Sequence, residues 1–191
     1  MRIRYNAPTV LSYALLSVAV LVADQVASGQ VSLYFAAPPI FDAQSVLSYF
    51  RMISHIAGHQ DWTHLVANFS LILLIGPILE EKYHSGPLLL MMLVTALVTG
   101  VINVLFLDSW LMGASGVVFM MILLSSFTNI ASGEIPLTFI LVVVVYLARE
   151  VIGAFSEDSV AQFAHIAGGV CGSLFGFLFQ RQPKRRSKAE A

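Results

Sequence analysis

One serine, two histidines and an asparagine stand in stretches of this chain that are otherwise strongly apolar. Ser115 lies in Gly113-Ala114-Ser115-Gly116, His165 in Ala164-His165-Ile166-Ala167-Gly168, and His64 four residues before Asn68. A hydroxyl beside an imidazole is the minimum for nucleophilic catalysis, because the ring takes the proton as the oxygen attacks. An amide and a second imidazole add donors for an oxyanion. His64 and Asn68, at i and i+4, share one helix face. His55 and His59 precede them, so the opening of this apolar stretch reads H-x3-H-x4-H-x3-N.

Composition says where such chemistry would take place. The chain has 191 residues, 58% of them apolar and 11% charged, against roughly 25% charged in an average globular protein. Mean hydropathy is +0.82. Twenty-one charged side chains are too few to cover a soluble domain of this length. The balance argues against a soluble enzyme and a disordered chain, and against nucleic acid as a partner, which would call for a basic face. The net charge of −1 identifies no partner. The single cysteine, Cys171, excludes an internal disulfide and a zinc-thiolate site. An integral membrane protein remains, with the lipid bilayer as its surroundings.

A span needs about 20 mostly apolar residues. Charges divide the chain into six such stretches: 5–23, 62–79, 83–107, 109–133, 135–148 and 159–180. The third helix is expected to start near Gly86-Pro87. The fifth span is the weakest, ending at Arg149-Glu150, a pair expected to snorkel at the outer end. Residues 25–61 are too long for a turn and too polar for a span, and read as a large ordered loop at the membrane interface. The expected fold is an all-α membrane protein, a six-transmembrane-helix bundle over 1–180, followed by a basic tail, 181–191, expected to be disordered. Arg2, Arg4, Lys82, Arg181, Lys184, Arg185, Arg186 and Lys188 fall on one side, eight of the ten basic residues, which makes both termini cytoplasmic. A cleaved signal peptide ending at Val26-Ala27-Ser28 is the alternative; it would leave an odd number of spans and put the basic tail outside.

At ~1.5 Å per residue from the cytoplasmic ends, Ser115 stands ~21 Å up, His165 ~22 Å, Asn68 ~18 Å and His64 ~24 Å. Four polar side chains from three helices thus fall in one layer near the outer surface of a core ~30 Å thick. Gly168, Gly172 and Gly176 form G-x3-G-x3-G, a surface for close helix approach. His165 lies on that face. If it packs against the helix carrying Gly116, the imidazole is carried to Ser115. Phe119, four residues after Ser115, would lie beneath the pair and hold the ring.

These motifs resemble the rhomboid family of intramembrane serine proteases, from Phe50 to Gly176. The histidine–asparagine motif resembles that of the family's second span. Gly76, Glu80 and Ser85-Gly86 resemble its G-x3-E and the turn that follows. Gly113-Ala114-Ser115-Gly116 resembles its GxSG, and Ala164-His165-x2-Gly168-x3-Gly172 its AHxxGxxxG. The resemblance implies Ser115 as nucleophile and His165 as base with no aspartate. It implies His64, Asn68 and the Ser115 backbone N–H around the oxyanion. Gly113, Gly116, Phe119, Gly168 and His59 would support them, His55 and His59 tying the outer loop to the second helix. Phe50, Phe119 and His84 stand where many members have Trp, Tyr and Gly. Substrates would be transmembrane proteins, cut at small residues, by a monomer in the cell membrane. From the depths above, the site is expected to open outward, and the fifth helix, as the least hydrophobic span, is expected to admit the substrate.

Blander readings stand beside these. Ser115 alone fits a small residue at a helix contact, and His165 a buried imidazole bonded to a carbonyl. His55 and His59 at i,i+4 would permit a metal site, but no HExxH is present, and neither a metal nor another cofactor is expected. Cys171, Thr95, Thr99 and Gly100 read as packing. A non-catalytic binder of transmembrane segments is the rival function; a transporter is a weaker one, since no inverted repeat or intramembrane charge pathway is present.

Overall fold

In a computed structural model, residues 4–126, 137, 140, 141, 144, 145 and 159–179 are described. Pro8 opens the first helix, α1 (Pro8–Val26). Its ring sits where a helix amide would have no partner anyway. The next two amides, of Thr9 and Val10, donate to the two carboxylate oxygens of Glu80 at 2.8 and 3.0 Å. Glu80 therefore caps α1. A carboxylate there also complements the positive end of the helix dipole.

Within the stretch read as one large loop lies a short helix, α2 (Val46–Ser54), running into a 3-10 turn, His55–Ala57. The helix α3 (Trp62–Tyr83) starts only after His55 and His59. Asp61 caps it by accepting the His64 N–H at 2.7 Å. A tight turn through His84 leads to α4 (Ser85–Phe106). The stretch expected to span 109–133 becomes helical only at Ser115, as α5 (Ser115–Ser126). Before it, the chain pairs with the loop between α1 and α2, where Ala37 and Leu111 exchange both backbone hydrogen bonds at 2.8 and 3.0 Å. The last described helix is α6 (Ser159–Leu178).

Among the described residues, α1, α3 and α4 are long and apolar enough to cross a membrane, while α5 and 162–178 are shorter apolar stretches. Gly116–Leu124 is buried apart from Ile122. A helix apolar on every side belongs at the centre of a bundle, and α5 is enclosed by α3, α4 and α6. Leu137, Ile140, Leu141, Val144 and Val145 are helical. The rest of the expected fifth span, Arg149-Glu150, the loop 155–158 and the tail 181–191 lie outside the described residues.

Candidate active site

Ser115 is the first residue of α5. Gly113, two positions earlier, has φ of +125°, which a side chain would strain. It also has no room for one, since a Cβ there would lie 2.6 Å from His64 Cε1 and 2.7 Å from Nε2. Gly113 thus lets the chain turn sharply into α5 against the His64 ring. Its amide donates to the His55 carbonyl at 3.0 Å. As residues of the first turn, Ser115 and Gly116 have amides with no acceptor inside the helix, at its positive end.

The glycine face of α6 makes the second contact. A Cβ on Gly168 would lie 2.0 Å from the Gly116 carbonyl oxygen, and one on Gly172 would lie 2.2 Å from that of Met120. A Cβ on Gly116 would be 3.3 Å from the Ala164 carbonyl oxygen. The two backbones touch at Gly116 and Ala164, immediately beside Ser115 and His165. Phe119 and His165 are stacked with centroids 4.3 Å apart and planes tilted by 34°.

Asn68 comes from α3. It is 7% exposed, and its Nδ2 donates to the His64 carbonyl at 3.1 Å. That bond uses one of two amide N–H groups and sets the direction of the other. Ser115, His165, Asn68 and Phe119 line one cavity of about 460 Å³, together with Leu141 and Val145. Three of the four residues singled out for chemistry are therefore brought to one space. His64 is not among its lining residues. Its ring lies behind Gly113 and edge-on to His59, with centroids 5.1 Å apart.

His55 and His59 are buried, at 1% and 2% exposure. His59 also touches Phe69 of α3, centroids 5.7 Å apart, so it joins the loop before α3 to that helix. His55 instead bonds Thr99 on α4, Nε2 to Oγ1, at 3.2 Å. Burial drags the His55 imidazole down to about 4. Burial, and then the neighbouring His64, do the same to His59, also to about 4. Both are neutral at neutral pH. Among the described residues, no group of three or more His, Cys, Asp or Glu could hold a metal ion. Arg51 lies over the ring of Trp110, 5.5 Å from its centroid, while Phe50 packs edge-on to Phe35. Arg51 and Trp110, like His55 and Thr99, meet from distant parts of the chain. No spacing rule links residues that far apart in the chain.

A model of the rhomboid domain matches residues 47–182. Among curated proteins, the chain is 25% identical over 166 residues to the rhomboid protease GlpG of Haemophilus influenzae, covering 85% of this chain and 86% of that protein.

Proposed function

Because this chain belongs to the rhomboid family, we propose that it is an intramembrane serine protease acting on transmembrane segments of other membrane proteins. The observation that carries the reading is the single cavity lined by Ser115, His165 and Asn68 from three different helices. The Ser115 hydroxyl attacks the scissile carbonyl as His165 takes its proton. Negative charge on the carbonyl oxygen is met by the Asn68 amide, the backbone N–H groups at the start of α5, and His64. Collapse of the tetrahedral intermediate leaves an acyl-enzyme on Ser115, with the proton passed from His165 to the leaving amine. Water, activated by the same imidazole, then releases the second product. No metal or other cofactor takes part.

The membrane domain, 1–180, sits as a monomer in the cell membrane with both termini and the tail 181–191 in the cytoplasm. The site opens to the opposite side. Leu141 and Val145, at the cavity wall, belong to the fifth span, through which the substrate helix enters from lipid.

The test is labelling of purified protein by a fluorophosphonate, with cleavage of a model transmembrane substrate measured in parallel. Wild type should be labelled and active. Ser115→Ala and His165→Ala should each abolish both while remaining folded, and a chelator should change neither by more than about three-fold. Cleavage that survives Ser115→Ala would refute the reading. Absence of labelling and cleavage in the folded wild type would point to a non-catalytic binder of transmembrane segments.

A further inference from the structure

Thr99 lies on α4, is 3% exposed and does not line the cavity of Ser115. Its hydroxyl nevertheless meets three partners. Oγ1 is 2.9 Å from the Thr95 carbonyl, 3.0 Å from that of Ala96 and 3.2 Å from His55 Nε2. A hydroxyl has one proton to give. Its proton is drawn to the two nearer carbonyls or to the ring, and the direction of the His55 Nε2–Thr99 Oγ1 bond follows the tautomer of the imidazole. The methyl of the same side chain faces the nucleophile's helix, since a Cβ on Gly116 would be 3.0 Å from Thr99 Cγ2. His55 reaches the same stretch from its other end through its carbonyl, which accepts the Gly113 N–H at 3.0 Å.

The backbone from 113 to 116, which carries Ser115, is therefore held at both ends. His55 anchors Gly113, Thr99 abuts Gly116, and the His55–Thr99 hydrogen bond joins the two supports. Gly100, next to Thr99, lets α2 approach closely: a Cβ there would lie 2.8 Å from the Met52 carbonyl oxygen. The short helix leading to His55 is thus seated on α4 beside the bond.

We infer that Thr99 is a positioning residue for the nucleophile, fixing through His55 and Gly116 the backbone from which Ser115 projects. The inference rests on the serine-protease reading above. Removing the hydroxyl would leave a buried ring nitrogen of His55 without its hydrogen-bond partner. His55 would have to move to satisfy it, and its carbonyl would move the Gly113 anchor. Misplacement of a reacting group by about 1 Å can cost on the order of 100-fold in rate.

The experiment compares Thr99→Val, which keeps shape and methyl but loses the hydroxyl, with Thr99→Ser, which keeps the hydroxyl. Both are made in the full chain and purified in detergent. Fluorophosphonate labelling rate, kcat, KM and melting temperature are measured on the same preparations. Thr99→Val should slow labelling and lower kcat by roughly 10- to 100-fold per folded molecule, with KM within about two-fold. Thr99→Ser should recover labelling to within about three-fold of wild type. A lowered melting temperature with unchanged labelling per folded molecule would reduce Thr99 to packing and overturn the inference. Should Thr99→Val fail to fold, Thr99→Cys, similar in size to Ser and a weak acceptor, carries the same expectation and the same refutation. Wild type that is folded but never labelled would overturn the protease reading and this role with it. Labelled wild type with an equally labelled Thr99→Val would overturn this role alone.

Discussion

The ring of Phe119 lies under the imidazole of His165, centroids 4.3 Å apart, although the two residues come from different helices. Phe119 is one turn along α5 from Ser115. A ring in that position gives the imidazole a flat neighbour one helical turn from the serine. The stack is possible because Gly168 and Gly172 bring α6 against the backbone of α5. Small residues on one helix thus set the place of a large ring on the other.

Phe119→Leu should keep the bundle closed, because leucine fills much of the same volume, but it removes the flat support. Aromatic pairs are worth about 0.5–1.5 kcal/mol beyond burial, so kcat and labelling of Ser115 should fall by roughly 3- to 10-fold. Phe119→Tyr should stay near wild type. Equal labelling rates for Phe119→Leu and wild type would show that the ring is packing alone.

Much of this site is legible in the sequence because it rests on local periodicity. His64 and Asn68 are one helical turn apart, as are Ser115 and Phe119, and the glycines of 168–176 repeat every fourth residue. The long loop between α1 and α3 obeys no such rule. Its nine-residue helix α2 is too short to announce itself by period, and its placement depends on partners distant in sequence. His55 meets Thr99, Ala37 meets Leu111, and Asn103 donates to the carbonyls of Pro38 and Ser109 at 3.3 and 2.9 Å. The late start of α5 has the same origin. Residues 109–112 are apolar enough for a helix, but Leu111 is paired with Ala37 and Gly113 turns at positive φ.

His84 has φ of +69° and ψ of 160°, a backbone region that belongs almost entirely to glycine and costs other residues about 1–3 kcal/mol. Its amide donates to the Glu80 carbonyl at 2.9 Å and its carbonyl accepts from the Leu88 amide at 3.2 Å; both bonds survive loss of the side chain. His84→Gly should therefore raise stability, by about 1 kcal/mol once the greater freedom of glycine in the unfolded chain is subtracted. The melting temperature in detergent reads this directly, and a fall would mean that the exposed side chain contributes more than the strain costs.

Acid should destabilise the protein through its buried histidines. His55 and His59 are held near 4, whereas in the unfolded chain they titrate near 6.5. Between these values the unfolded state binds more protons, so stability falls as pH drops from about 6.5 to 4, and above that window these groups add no slope. Each can contribute on the order of 3 kcal/mol across it. Melting temperature should decline over this window in wild type and decline less steeply in His55→Gln. Identical slopes in the two proteins would mean that the buried ring does not govern the acid response.

Asn68 and His64 share a helix face, yet they stand differently toward Ser115, and kinetics should separate them. Asn68 lines the cavity, and the bond from its Nδ2 to the His64 carbonyl sets the direction of its second N–H. A donor fixed in advance stabilises charge as it develops and spends nothing on reorientation. His64 has its ring against Gly113 and His59, outside the cavity wall, so its help must come from the edge of the site. Loss of one oxyanion donor costs about 10²–10³ in kcat, and here backbone N–H groups share the task. Asn68→Ala should approach the lower end of that range, with KM little changed and slow labelling of Ser115 retained. His64→Ala should cost less, and the double variant should fall below either single one. Were both residues mere packing, their loss would lower the melting temperature and leave kcat of the folded fraction untouched. Were His64→Ala the more damaging of the two in kcat, the imidazole would have to swing forward from Gly113 during turnover, and the ranking drawn from this geometry would be reversed.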